Sequence, residues 1–346
     1  MIQLFKKSII YVLAPGNLAS GGPEALHQLH YYLIKSGYQT RLVYFQDAKL
    51  HPQYEKYTPQ IIPIDQVVDS EENVIIVPEM HTIYLNQIKK ARKCIWWLGL
   101  QFYDGFDAFP QTIRRKIKSK LRKIIPSSIF ELRKEFYKRF DYEKYLVQAY
   151  KIKPEDYNLC GSMFTYQFTK ERFNNVHLLV EPLGLEFLDF GDIDLSSKNR
   201  GNKILYNPSK SSTIMKKLLT RTDLEFEPIQ GLDVKGMKNL FQQSKLYVDF
   251  GKFPGPERLP KETVLNGTML LVGKRNASEN NFDVAIPEQY KLEDFNNEEL
   301  VVSKIKDMLA NYDELIGDFD FFRKKVKNLE KNFIESIRSI FVEEKV

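Results

Sequence analysis

Short, mainly apolar runs alternate with amphipathic stretches over the first half of this chain. Ser8 to Ala14, Arg41 to Phe45, Asn73 to Pro78, Cys94 to Leu98, Tyr157 to Gly161 and Val176 to Val180 lack a period of two, which predicts strands buried on both faces. Between the first two, Gly21-Gly22-Pro23 opens a helical pattern with Leu26, Leu29, His30 and Leu33 on one side, stopped by Gly37. Further helices are expected from about His81 to Arg92 and from Met163 to Phe173. Strand–helix alternation of this kind predicts an α/β fold with a largely parallel sheet covered on both sides.

Residues 182–202 are rich in Gly, Asp, Ser and Asn and carry no sustained apolar period, so they read as a linker after a first unit of residues 1–181. Alternation then resumes. Lys203 to Tyr206, Leu224 to Ile229, Leu246 to Phe250 and Thr268 to Val272 read as strands, with helices from Ser211 to Leu219 and Val234 to Gln243. This second unit is expected to cover 203–316. In the remaining stretch, 317–346, a pattern from about Asp320 to Phe341 places Phe322, Val326, Leu329, Phe333, Ile337 and Ile340 on one stripe. That helix either covers its own unit or packs back on the first. Two α/β units of similar size leave a cleft at the carboxyl ends of their strands, where parallel sheets place ligands.

Composition narrows the class. A chain of 346 residues with 43% apolar content suits two folded domains. No apolar run approaches the roughly 18 residues that would cross a bilayer, and Met1 to Lys7 leads into a strand with no small-residue cleavage site, so a cytoplasmic protein is expected. Cys94 and Cys160 sit in apolar runs and read as small buried hydrophobes. His27, His30, His51 and His177 offer no metal-ligand spacing, and no metal is expected.

The densest chemistry lies in Phe250-Gly251-Lys252-Phe253-Pro254-Gly255-Pro256-Glu257-Arg258-Leu259-Pro260-Lys261-Glu262. It follows a strand and opens a short helix, with Pro260 suited to the first turn and Gly267 to the stop. Carboxylates there can accept hydrogen bonds from paired sugar hydroxyls, while cations and helix N–H groups hold a phosphate. The segment resembles the donor-sugar loop of GT-B fold glycosyltransferases, in particular bacterial retaining enzymes of the family 4 type. The resemblance implies two Rossmann-like domains facing a central cleft, with Glu257 on the donor sugar and Glu262 on the ribose; Arg258 and Lys261, as cations of the same loop, suit the phosphates. It further implies transfer from a nucleotide-sugar donor to a glycan or lipid-linked acceptor, in surface polysaccharide or glycoconjugate synthesis, with no separate cofactor. Only four residues separate the two glutamates here, fewer than in the family pattern, and Arg258-Leu259-Pro260-Lys261 replaces its Gly-Phe-Gly.

Two other strand-to-helix loops are candidates for the same ligand. Pro15 to Pro23 brings the N–H groups of Gly21 and Gly22 to a helix start, as a phosphate site or as a plain turn. Asn207-Pro208-Ser209-Lys210-Ser211-Ser212 holds hydroxyls and a cation without acids. Asn207, Ser209 and Lys210 there suit a pyrophosphate, and the resemblance points to Lys210; helix capping by Ser211 or Ser212 is the plainer alternative. His81 and Asp104, at strand ends, are candidate bases for an inverting reaction, with Glu79 a competitor, whereas the glutamate pair favours retention. A non-catalytic protein binding a sugar or nucleotide in the same cleft would share these residues.

The net charge of +6 is uneven. Pro110 to Arg139 holds eleven Lys or Arg against Glu131 and Glu135, a local balance of +9, which leaves −3 for the rest. Within a basic insert of 110–150, Ile113, Ile117, Leu121 and Ile124 recur at helical spacing among Arg114, Arg115, Lys118, Arg122 and Lys123. Residues 111–139 therefore suit an anionic membrane surface, with peripheral attachment at the inner face; a solvated cover for the domain is the alternative. Aromatics are sparse in the most basic run, so no nucleic-acid partner is expected. Replacing those five cations by Gln should abolish most sedimentation with anionic vesicles, at about 1 kcal/mol per charge. Wild-type binding should also fall with salt, and a wild type that ignores such vesicles at low salt would end the membrane assignment.

Overall fold

A computed structural model describes residues 1–45, 49–101, 150–189, 191, 193–210 and 212–344. Asp104 and residues 110–149 of the expected insert lie outside the described residues. Two short strands, β1 (Ile2–Leu4) and a partner at the far end of the chain, stand apart from two larger parallel sheets. The first large sheet contains β2 (Ile10–Ala14), β3 (Thr40–Tyr44), β4 (Ile61–Pro63), β5 (Val74–Pro78), β6 (Arg92–Trp97), β7 (Tyr157–Cys160) and β8 (Val176–Leu178). Their order is β4-β3-β2-β5-β6-β7-β8, every pair parallel. Both faces are buried, as the unbroken apolar runs require. Val12, Val74, Ile76, Cys94 and Trp96 join one core, while Tyr11, Leu13, Ile75, Val77 and Trp97 join the other. Helix α1 (Gly21–Lys35) covers one face, and Gly37 ends it at φ +92°, where Tyr38 N–H returns to Leu33 O at 3.1 Å. Helix α2 (Met163–Lys170) connects β7 to β8 and starts on a Ser162 capping box.

The second sheet is β10-β9-β11-β12-β13, also parallel throughout. Its strands are β9 (Gly201–Tyr206), β10 (Phe226–Pro228), β11 (Ser244–Asp249), β12 (Met269–Gly273) and β13 (Lys291–Leu292). Between the two sheets the chain forms α3 (Leu185–Leu188). Helices α4 (Thr213–Leu218), α5 (Val234–Gln242), α6 (Arg258–Leu265) and α7 (Glu298–Ala310) cover the second sheet, and α8 (Tyr312–Leu315) follows them. Residues 182–202 are more than a spacer. Leu183 and Phe187 are buried in the second core, and the buried Arg200 guanidinium donates to the carbonyls of Asp194, Phe241, Ser244 and Asn266 at 2.8–3.1 Å.

The terminal stripe is broken at Asn328 into α9 (Asp320–Lys327) and α10 (Leu329–Ile340), which leads into β14 (Phe341–Glu343). Phe322, Val326 and Leu329 pack in the second core, whereas Phe333, Ile337 and Ile340 pack in the first. Phe333 meets the rings of Tyr32 and Trp96 at 5.6 and 6.2 Å, and β14 pairs in parallel with β1.

The helix expected from His81 to Arg92 does not form. Glu79–Gln87 is a succession of 3₁₀ turns with a kink at His81. Beyond it, the Asp69 carboxylate accepts the N–H groups of Lys89, Lys90 and Ala91 at 2.7–2.9 Å. Those donors are thereby held in a turn that delivers the chain to β6. Phe333→Ala should cost about 3–5 kcal/mol, because it empties a site that joins the terminal strap to the first core. Thermal or denaturant unfolding checks this; a loss below about 1 kcal/mol would mean that the strap is not anchored there.

Candidate active site

In each sheet the chain first runs outward and then returns to the other side of its first strand, so the switch points lie between β2 and β5 and between β9 and β11. The loops after β2, β9 and β11 therefore converge, as open parallel sheets dictate. Between them is a cavity of about 220 Å³, open to solvent. It is lined by Gly21, Gly22 and Leu98 from the first half, by Glu181 after β8, and by Asn207 and Pro256–Leu259 from the second. Of the residues expected from the sequence, Gly21, Gly22, Asn207, Glu257 and Arg258 are brought to this one space.

The two walls touch through backbone. Leu100 N–H donates to Pro254 O at 2.9 Å, and a Cβ on Gly255 would lie 2.5 Å from Leu98 O, so only glycine permits this approach. A second bridge lies further along, where the Asp283 carboxylate accepts Met163 and Phe164 N–H at 2.7 and 2.9 Å, at the start of α2.

Lys210 is clamped rather than solvated. Its Nζ lies 2.9 Å from Asp249 Oδ2 and 2.6 Å from Glu257 Oε2, and over the Phe253 ring at 4.8 Å. Burial alone would lower its pKa, but Glu257 and Asp249 outweigh that and push it up, so it is a cation at neutral pH. Burial raises the Glu257 carboxyl against the pull of Lys210. Asp249 escaped the sequence reading as the last residue of a strand; it also accepts Tyr247 O–H at 2.9 Å and Gly251 N–H at 2.8 Å. Ser209 is exposed, and its N–H and hydroxyl both donate to Asn207 Oδ1, which shapes the loop.

Arg258 reaches the opposite wall. Its guanidinium donates to Glu24 Oε2 at 2.5 Å and Gln28 Oε1 at 2.8 Å, both on α1, while its buried Nε has no partner among the described residues. Glu24 also accepts Tyr57 O–H at 2.7 Å and lies 3.1 Å from Lys56. Burial would raise its pKa, yet Arg258 and Lys56 hold it below the usual carboxylate range. Sequence reasoning passed over Glu24, since an acid in a helix's first turn is ordinary.

Glu262 and Lys261 are buried in α6. Glu262 accepts no hydrogen bond to its carboxylate from any described residue, and burial pushes its pKa up to about 7 against the pull of Arg258 and Lys261. His81 is buried against Phe45 with ring centroids 4.4 Å apart, away from the cavity lining, and burial lowers its pKa to about 4, making it a weak base at neutral pH. Glu79 is buried on the first wall and accepts Leu98 N–H at 3.0 Å, which fixes the turn after β6.

No family model and no curated protein sequence matches this chain. Solved structures do. A glycosyltransferase from Rickettsia africae superposes with a TM-score of 0.58 at 13% identity, over 96% of this chain and 98% of its own. Sucrose-phosphate synthase from Thermosynechococcus elongatus gives 0.57 at 10% identity, over 96% and 98%. An alpha-glucosyltransferase in complex with UDP and a 13-mer DNA gives 0.52 at 13%, over 96% and 99%. The chain has the GT-B fold. The converging loops are thus the walls of a GT-B cleft, and the strap of α9 and α10 spans both of its halves.

The buried Glu262 makes a pH prediction. With a folded-state pKa of about 7 against an ordinary 4.5, the folded state binds more protons than the unfolded state between those values. This group's contribution to stability is therefore greatest at acid pH, falls as pH rises from about 4.5 to 7, and is flat above. Glu262→Gln should raise Tm relative to wild type at pH 8, and the difference should vanish near pH 4. Parallel Tm profiles for the two proteins would refute a buried, proton-binding Glu262.

Proposed function

We propose that this protein is a glycosyltransferase that moves a sugar from a nucleotide-sugar donor to a glycan or lipid-linked acceptor. The observation that carries the reading is that one cleft gathers a glycine-rich helix start, an acid-free Asn-Pro-Ser-Lys loop and a Glu-Arg-Leu-Pro-Lys-Glu helix start from three separate switch-point loops. Such a site can hold a diphosphate beside hydroxyl-bearing rings. Neighbours in the structural comparison, an alpha-glucosyltransferase bound to UDP among them, support the donor class.

The charges suggest how the site works. An entering diphosphate competes with Glu257 for Lys210, so Lys210 would retain Asp249 and turn to the phosphate, freeing Glu257 for the donor sugar. Arg258 has an unused Nε–H for a second phosphate oxygen, and Glu262 would take ribose hydroxyls. As the glycosidic bond to the phosphate breaks, these cations stabilise the charge left on the diphosphate. We assign that task to Lys210, Lys261 and Arg258 without a divalent ion. We further assign residues 111–139 to an anionic membrane surface on the cytoplasmic side, where a lipid-linked acceptor would be presented.

A thermal-shift series of UDP, GDP and ADP against uridine, guanosine and adenosine tests the reading. One diphosphate should raise Tm, since ligand at 100 times its dissociation constant adds about 2.7 kcal/mol. Lys210→Met keeps most of the side-chain length and removes the charge, and should weaken that diphosphate roughly 10- to 100-fold while sparing the nucleoside. Equal losses for both would make Lys210 structural, and no response to any diphosphate would overturn the function.

A further inference from the structure

Glu181 has no assigned role, yet its surroundings are unusual. It follows β8 in Leu179-Val180-Glu181-Pro182, where the first half ends, and it lines the cleft opposite Glu257 and Arg258. It is 3% exposed, and among the described residues its buried Oε2 has no hydrogen-bond partner. No cation lies within ion-pair distance among the described residues, although Lys261 and Arg258 are near enough to pull against the effect of burial. A carboxylate oxygen held so is destabilising unless something donates to it, and native structures rarely leave such groups orphaned without a use. Gly161 keeps the space beside it clear: a Cβ there would lie 3.3 Å from Glu181 Oε2 and 3.1 Å from Pro256 Cγ. The carboxylate and the Pro256–Glu257 loop thus border the same opening from opposite walls.

We propose that Glu181 is a sugar-recognition residue: its Oε2 accepts a hydroxyl of the donor's sugar ring from the first wall of the cleft, facing Glu257 on the second. This rests on the reading of the cleft as a nucleotide-sugar site and adds a specificity determinant to it. The chemistry fits a hydroxyl and excludes a phosphate, because an anionic ligand group would meet a second anion there with no cation bridging them. A sugar hydroxyl supplies the missing donor and leaves the diphosphate to Lys210 and Arg258. Since Glu181 belongs to one wall and Glu257 to the other, a ring bound to both also fastens the cleft shut.

The test compares the sugar's share of binding with that of the nucleotide. Affinities are measured by calorimetry for UDP, GDP and ADP, and for UDP-glucose, GDP-mannose and ADP-glucose, with wild type, Glu181→Ala and the isosteric Glu181→Gln. A single cooperative thermal unfolding transition establishes that each variant is folded. Glu181→Ala should weaken the nucleotide sugar that binds wild type roughly 10- to 100-fold and leave its nucleoside diphosphate within about threefold. Glu181→Gln, which keeps an acceptor oxygen, should restore part of the loss. Equal loss of diphosphate and nucleotide sugar would overturn the assignment in favour of a purely electrostatic role. Unchanged affinities in the alanine variant would overturn it outright. A wild type that binds diphosphate but gains nothing from any sugar would overturn it as well, whereas a wild type that binds neither series would overturn the function with it.

Discussion

Charge buried between the two halves is the constraint on which the cleft depends. Glu24, Glu181, Asp249, Glu257 and Glu262 are gathered there with Lys210, Arg258 and Lys261. Acids outnumber cations, so the balance is met in two ways. Some carboxylates are paired outright, as in Glu24 with Arg258 and Asp249 with Lys210. Others have their pKa raised by burial, Glu262 most clearly. Removing one member of such a pair leaves its partner as an uncompensated buried charge, which costs about 3–5 kcal/mol. The Arg258–Glu24 pair joins α6 to α1, so the same ion pair that solvates a buried guanidinium also sets how closely the walls approach.

The placement of the two glutamates at the start of α6 has a geometric meaning. Glu257 precedes the first helical residue in extended backbone, whereas Glu262 lies within the helix, about one turn beyond Arg258. Glu257 accordingly meets Lys210, while Glu262 is coupled to Arg258 and Glu24. The compact motif divides its acids between two cation neighbourhoods.

Much of the fold was legible because strands buried on both faces must be apolar throughout; Ile10–Ala14 and Val74–Pro78 are unmistakable on that ground. The strand-to-helix loops could be located, and with them Gly21, Gly22, Asn207, Glu257 and Arg258. What escaped depended on distant partners. Glu24 has the look of an ordinary first-turn acid until Arg258, 234 residues away, is placed against it. Glu181 stands in a Glu-Pro step that reads as the start of a linker. The turn at Lys89–Ala91 is held by Asp69, a contact no local period encodes. β4 and β13, at three and two residues, are too short to carry a pattern.

The strap has a consequence for how the chain is made. Phe333, Ile337 and Ile340 complete a core whose other members, Ile10, Val12 and Leu29 among them, leave the ribosome some three hundred residues earlier. During synthesis the face of the first sheet that α1 shares with the strap therefore stays partly uncovered, and it closes only after the second sheet has been translated. Vectorial folding of this molecule is not domain by domain. A segment made after the second sheet completes the unit made before it, so part of that apolar face stays exposed on the nascent chain over a long interval.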